Sequence, residues 1–546
     1  MTTTEPDTGP SALASPWWRN RPFQVLKWVL AVGVGVLIVR HLYGQGPVRT
    51  FFHDEWAFVA HRNSFSAQAL LQPHNGHFSA APAFAYLVMF KTVGLDHYGA
   101  FRLIGFAVHV GLCATAGHLV AKRSNWLIGC STAFALALMG AGWQNTFWPF
   151  QIGFMGSIVF TMAAVAILHN GATRSSPTFP LIASALAVLA VASSGVGIAG
   201  LGALIVVCVL PATRRRTWWV PLPATVIYAW WYLAYGSSQA KLSNLPTVPA
   251  YVGRSGQGAL SGLFMVGATA GWVLLGLVVL SVLWAGFRRR IDAVSLAWIV
   301  FLVGFWSLTA LSRAEYAEPA ASRYVYVGAV LLVLIVAHHA PPFPHRRSRR
   351  VVASSVVVVV ALLTVQRSHD LLLAGADGLQ SEGRRIGIEL AVVEAIGAQL
   401  DPEMAIDPIH APPLRVGDYL AAIADIGSSP ALPLETVMTL SPPEADGVDR
   451  LLEPLFGIAA DHATTTNCGE QGEPRTEVRV AVDQTVRVSS SVSQSIVIAR
   501  FADPGASKTE PRSASAGTLT LTAPQDPFEH DWVISFSAPV RLVVCH

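Results

Sequence analysis

Apolar residues along this chain gather into runs of roughly 17–25, the length a helix needs to cross a bilayer core. Runs at 25–43, 101–121, 125–142, 151–169, 177–194, 196–211, 217–236, 258–286, 291–311, 323–340 and 350–367 predict about 11 transmembrane helices. A further apolar stretch, "AAPAFAYLVMFKTVGL" at 80–95, is interrupted by Pro82 and Lys91 and reads as a juxtamembrane helix at the outer face. Past Arg367 the pattern changes. Segments such as "SEGRRIGIELAVVEAIGAQL" within 368–440 keep helical spacing without spanning length. From about 470, short alternating runs such as "TEVRVAVD", "QSIVIARF" and "GTLTLTA" predict strands. The expected fold is an all-α polytopic membrane protein whose C-terminal α+β region ends in a small β-sandwich-like module. The domains follow: a tail at 1–24, a transmembrane domain at 25–367 and a C-terminal domain at 368–546.

Composition agrees with the pattern. Of 546 residues, 52% are hydrophobic and 13% charged, against about 25% charged in an ordinary soluble domain. The net charge of +4 is uninformative, but its placement is not. Basic clusters abut the runs: Arg19, Arg21 and Lys27; Lys122 and Arg123; Arg214–Arg216; Arg288–Arg290; and Arg346, Arg347, Arg349 and Arg350. Short loops rich in Lys and Arg stay cytoplasmic. The N-terminus is therefore expected inside, and an odd number of crossings puts 368–546 outside. No cleavage site follows the first run, which reads as an anchor. Arg greatly outnumbers Lys, which hints at a GC-rich bacterial genome. The expected location is a bacterial inner membrane, crossed many times. The bilayer is the expected partner, and no nucleic acid is expected. Cys113, Cys130 and Cys208 fall inside apolar runs as packing residues. Cys468 and Cys545 form an even pair in the outer region, where a disulfide is expected.

The external loops then fall at 44–100, 143–150, 193–195, 237–257 and 312–322, and they hold nearly all the acidic and unusual polar residues of the membrane part. There is no P-loop, no GxGxxG after a strand, no HExxH and no CxxC pair. The first external loop is the informative one. It carries His53, Asp54 and Glu55 in "HDEW", then His74, Asn75 and His77 in "HNGHFS". These side chains suit a metal site, a polar bowl for a charged head group, or a merely solvated loop; their spacing matches no closed zinc tetrahedron. Gln144, Asn145 and Gln151 bring amides to a membrane boundary, where they must find partners. Arg313 and Arg323 are candidates for phosphate, which guanidinium binds bidentately. Their plainer alternatives are an ion pair between Arg313 and Glu315 and a snorkelling Arg323, with Tyr324 an interfacial aromatic.

The blocks "HDEW", "HNGHFS", "WQNTFWPFQIGFMGS", "SSGVG", "YAWWYLAYG" and "SRYVYVGA" are similar to those of a group of bacterial polytopic membrane proteins. With the acidic motif after the first helix and the stretch "GLDHYGAFRLIGF", residues 20–370 resemble the C-type (GT-C) glycosyltransferase superfamily, which uses polyprenyl-phosphate-linked sugars. The resemblance implies an inverting transferase moving a sugar to a cell-envelope glycan, lipid or protein at the extracytoplasmic face. It puts the catalytic base at Asp54, with Glu55 beside it to orient it, bind a cation or hold sugar. His53, His74, Asn75, His77, Gln144, Asn145, Gln151, Arg313, Arg323 and Tyr324 are the expected substrate-binding residues. The second superfamily motif, often acidic, falls on 143–151, where Gln144, Asn145 and Gln151 replace carboxylates. No cofactor is fixed by this pattern; a divalent cation, Mg or Mn, is the candidate. The rival readings are a transporter or flippase of lipid-linked sugars and a non-catalytic envelope-assembly protein. Transporters are set apart by midplane ionisable residues in paired halves.

Overall fold

The computed structural model describes residues 21–45, 50–169, 176–210, 217–315, 317–339, 347–461, 468–505 and 509–545. The membrane part is a helix bundle. Among the described residues, six helices are long and apolar enough to cross a membrane, or up to seven if one bent pair is a single span, and four shorter apolar helices accompany them. Three expected spans take a different form. The run 258–286 is two helices, Val248–Phe264 and Ala268–Phe287, because Met265 adopts a left-handed conformation at φ 52° and ends the first. The run 217–236 is interrupted by a turn at 218–221, and the helix that follows, Leu222–Ala234, is 13 residues long. The run 125–142 breaks after Ala137 and bends by 55° into Gly140–Phe147. Apolarity alone cannot show such breaks, since "GLFMVGATAG" is as oily as the helices it separates.

The bundle's surface shows which solvent it expects. Val29, Val32, Val36 and Leu37 on the first helix are exposed, as are Leu277, Leu280, Leu283 and Phe287 on Ala268–Phe287. Exposed apolar area of this extent is untenable in water and costs nothing in lipid. Inside, the middle of helix Ser322–His339 is enclosed, with Val327, Ala329, Val330 and Leu331 at 0% exposure. The basic pairs Lys122–Arg123 and Arg349–Arg350 and the triplet Arg288–Arg290 gather at one end of the bundle. That end is tied by Asn125 Nδ2 donating to Ser354 Oγ at 2.9 Å and by Arg123 lying 3.8 Å from Asp292.

Helix Arg347–Ile396 is 50 residues long, roughly 75 Å at 1.5 Å per residue. It outruns the bilayer and carries the chain without a break into the C-terminal domain. On its way it packs on the bent corner of the 125–151 segment. Glycine is required twice there: a Cβ at Gly140 would collide with Ser368, and one at Gly375 with the Trp143 indole.

The C-terminal domain opens with a small hairpin, β1 (Ala405–Asp407) and β2 (Ala411–Arg415), followed by helices Val416–Ile426 and Pro442–Leu452. The latter begins in a capping box in which Ser441 and Glu444 satisfy each other's backbone N–H groups. A seven-stranded antiparallel sheet then forms from β3 (Gly457–Ala460), β4 (Cys468–Val480), β5 (Thr485–Ser490), β6 (Gln494–Ala499), β7 (Arg512–Ala514), β8 (Gly517–Thr522) and β9 (Trp532–Cys545). β9 pairs with β4 along one edge. On the other it meets β5 near Arg541–Val543 and β6 near Val533–Phe536. The long β4–β9 ribbon thus joins two smaller sheets, and irregularities on either side of Arg475 bend it. Trp532, Val480, Ile496 and Leu521 fill the space between.

Two predictions follow from this domain. The Arg500 guanidinium and the Asp526 carboxylate are both fully buried and 2.5 Å apart. Asp526→Ala leaves that cation uncompensated and should cost about 3–5 kcal/mol, read as a lowered unfolding midpoint of the full chain in detergent. A loss below 1 kcal/mol would mean the guanidinium is held by the Phe528 and His530 carbonyls alone. Second, the side chains of Cys468 and Cys545 lie outside the described residues, but the β4–β9 register makes the two residues direct cross-strand partners. We expect a disulfide there, detected as a mass shift on reduction and alkylation. Labelling of both thiols in the native protein would rule it out.

Candidate functional site

The site begins with the turn Phe51–Glu55. Glu55 N–H donates to the Phe52 carbonyl at 3.1 Å, and His53 sits at φ 43°, a left-handed conformation unusual for a side-chain-bearing residue. The Glu55 carboxylate is wholly buried. It accepts the Phe52 N–H at 2.9 Å and the Tyr98 hydroxyl at 2.9 Å on one oxygen, and the Tyr86 hydroxyl on the other. Burial pushes its pKa up to about 7, with these donors holding it back from a higher value. Phe51 locks the same corner from below, edge-on to Trp56, Phe90, Tyr98 and Phe101. Glu55 therefore belongs to the framework and points away from the cavity, contrary to its expected place in the site.

Asp54 points the other way. It lines a polar cavity of about 470 Å³ together with His53, Asn75, Gln144, Trp148, Gln239, Arg313 and Arg323. A narrower recess of about 50 Å³ also lined by Asp54, Arg313 and Arg323 reaches His74, His77, Gln151 and Tyr324. Ten of the twelve residues picked out from the sequence meet here. Asn145 does not: it is fully enclosed one turn away, its amide unpartnered among the described residues.

The local chemistry of "HNGH" explains how three of these side chains arrive together. Asn75 and Gly76 take φ 49° and 73°, the pair of positive values that a two-residue hairpin turn demands and that Asn-Gly supplies. His74 and His77 exchange backbone hydrogen bonds of 3.0 and 2.8 Å across it. Gly76 is also where Gln239 presses against the turn, at a distance a Cβ would not allow. Burial depresses His74 and His77 to about 4, and the neighbouring Arg313 pushes in the same direction. Both imidazoles are neutral at ordinary pH, and His77 Nε2 can accept from Arg313 Nη2 at 3.4 Å. Burial lowers His53 as well, against the pull of Asp54.

The wall opposite the acidic turn is basic. Gln144 anchors it: its N–H donates to Ser322 Oγ at 3.1 Å and its Oε1 accepts the Arg323 N–H at 3.2 Å. The alternative partner for Arg313 is taken, because Lys241 binds Glu315. Among the described residues neither Arg313 nor Arg323 pairs with a carboxylate, and the Asp54 side chain makes no hydrogen bond or ion pair. Asp54 is also the one carboxylate lining the cavity, and no group of three or more His, Cys, Asp or Glu side chains among the described residues forms a metal-ligand set. One carboxylate facing two guanidiniums does not fit Mg or Mn, which ask for several oxygen ligands.

Several contributors had no sequence signal. Gln239 lies in an unremarkable polar loop, Trp148 reads as an interfacial aromatic, and Ser193 and Ser194 read as a turn, yet all line the cavity. The C-terminal domain reaches the same corner. His53 N–H donates to the His410 carbonyl at 3.0 Å, and Trp56 packs edge-on to Tyr419 at 6.4 Å. Lys91 pairs with Asp425 at 3.0 Å, and Ser428 Oγ accepts the Leu95 N–H at 2.7 Å.

No family model and no curated protein matches the chain. Among solved structures, it is similar to the crystal structure of ArnT from Cupriavidus metallidurans bound to undecaprenyl phosphate. The identity is 12%, the TM-score 0.42, and the match covers 69% of this chain and 81% of that one.

The caged carboxylate yields a test of its own. A carboxyl whose folded pKa is raised from 4.5 to about 7 contributes stability that is full below the unfolded value and is lost as pH rises through the folded one. Wild-type stability should therefore fall between about pH 4.5 and 7 by on the order of 3 kcal/mol from this group. Glu55→Gln should flatten that slope and keep the fold, since the tyrosine hydroxyls can turn to meet an amide. An unchanged slope in the variant would show that Glu55 is not the group responsible.

Proposed function

We propose that the chain is a membrane glycosyltransferase that moves a sugar from a polyprenyl-phosphate donor to a cell-envelope glycan, lipid or protein. The observation that carries this reading is the unsatisfied charge in one cavity: a free carboxylate, Asp54, facing two guanidiniums without carboxylate partners. Charged groups held partly out of water without partners are costly, and a ligand that supplies both an acidic proton and an anion resolves the cost. An acceptor hydroxyl and a sugar phosphate are such a pair.

In this reading Asp54 accepts the proton of the acceptor O–H as its oxygen bonds to the anomeric carbon. The bond from that carbon to the phosphate oxygen breaks in the same displacement, which inverts the centre. The departing phosphate keeps the electron pair, and Arg313 and Arg323 hold its charge. Neutral His74 and His77, with Asn75 and Gln144, orient sugar hydroxyls, and Trp148 offers a flat face. The guanidiniums supply the charge compensation that a divalent cation would otherwise give. The site lies at the bundle end opposite the basic clusters, which supports an extracytoplasmic site, a cytoplasmic N-terminus and an outer C-terminal domain in a bacterial inner membrane. Support for transfer over transport comes from the packing of Ser322–His339, whose fully buried middle fills the bundle beneath the cavity.

General-base catalysis is worth about 10²–10⁴-fold, so Asp54→Asn should lower turnover by that factor while leaving donor binding near wild type. Arg313→Ala and Arg323→Ala should weaken donor binding instead, and Glu55→Gln should keep most of the turnover. Steady-state transfer from a polyprenyl-phosphate sugar, with separate donor-binding measurements, reads all three. Wild-type turnover in Asp54→Asn would end the base assignment, and absence of donor binding by the wild-type chain would end the transferase reading.

A further inference from the structure

Three helices that wall the site at one end of the bundle, Ile152–His169, Ala293–Arg313 and Ser322–His339, meet Tyr98–Arg123 around a second cavity at the other end. This cavity has a volume of about 470 Å³. It lies roughly 22–27 Å from the first along the helix axes, at 1.5 Å per residue. Its polar rim holds two cations, Lys122 and Arg123, with the imidazoles of His169 and His338, and its wall is apolar, with Leu119 and Trp298 among the lining residues.

Charge at this rim is only partly balanced. Asp292, the N-cap of Ala293–Arg313, stands at the edge. It accepts the Ser295 N–H at 2.8 Å and lies 2.9 Å from His338 Nε2 and 3.8 Å from Arg123. That one carboxylate serves two partners already. Lys122 and His169 pair with no carboxylate among the described residues, and the neighbouring segment 170–175 contains no acidic residue in its sequence. Among the described residues no carboxylate lines the cavity itself.

We propose that this second cavity binds a phosphate group carried on a lipid, as an anionic headgroup site at the membrane face opposite the transfer site. The combination selects the ligand class. A cationic rim over an apolar wall, opening at a bilayer surface, matches a molecule with an anionic phosphate joined to an acyl chain; free phosphate would leave the apolar wall empty. Lys122 supplies the unspent positive charge, beside Arg123, whose carboxylate neighbour Asp292 stands 3.8 Å away. The proposal is independent of the transfer reading, because none of these residues touches the first cavity.

The test uses the full-length protein in detergent, with native mass spectrometry of retained lipid after addition of phosphatidylglycerol or phosphatidylcholine. Wild type should retain phosphatidylglycerol about tenfold over phosphatidylcholine, and millimolar inorganic phosphate should not displace it. Lys122→Gln combined with His169→Gln should abolish the preference with an unchanged unfolding midpoint; both side chains are exposed. Should the double variant fold poorly, Lys122→Glu alone should still reverse the preference. Equal retention of the two lipids, or undiminished preference in the variants, would overturn the proposal. Displacement by inorganic phosphate at equal affinity would overturn the lipid source.

Discussion

The site depends on a carboxylate that faces away from its cavity. Burying Glu55 is tolerable only because three donors meet it, the Phe52 N–H and the Tyr86 and Tyr98 hydroxyls. Those donors come from the turn itself, from helix Ala80–Val93 and from the start of Tyr98–Arg123. The cage thereby fixes the turn to two helices. It also holds His53 in a left-handed conformation that costs of order 1–3 kcal/mol. Adjacent residues on a helical turn diverge by about 100°, so anchoring one carboxylate inward obliges the other to face the cavity.

A second constraint acts from the C-terminal domain. His410, whose carbonyl receives the His53 N–H, is pinned by Asp407 through its ring at 2.8 Å and its own backbone N–H at 2.9 Å. Asp407 is in turn 3.3 Å from Arg385 on the long helix, which also contacts buried Glu389. Burial raises Glu389 to about 8, with Asp407 adding to the effect. The tail domain is thus built against the acidic turn through a chain of charged contacts. The 50-residue helix that joins it to the bundle keeps the two in register.

Much of this was readable in the residues, and the exceptions have physical reasons. "HNGH" carries its own turn, because Asn-Gly is the pair that tolerates two successive positive φ values, and the gathering of three polar side chains follows. The contrast of apolar runs with one-sided Arg clusters gave the membrane class, and β-alternation gave the C-terminal strands. The fate of Glu55 was hidden, since nothing local shows that Tyr86 and Tyr98, 31 and 43 residues on, converge on it. Asn145 reads like Gln144 because two adjacent amides look alike in sequence, whereas the short helix Trp143–Phe147 turns Gln144 to the cavity and Asn145 inward. Gln239 and Trp148 are placed by tertiary packing alone. The left-handed Met265, which divides one apolar run into two helices, is likewise set by tertiary context.

The central claim is that one free carboxylate and two guanidiniums without carboxylate partners form a single site for a lipid-linked sugar phosphate. A density map of the full chain with an added polyprenyl-phosphate sugar tests it most directly. The account predicts the phosphate between Arg313 and Arg323 and the anomeric carbon on the side facing Asp54. Headgroup density confined to the opposite end of the bundle, or extending through the packed middle of Ser322–His339, would contradict it.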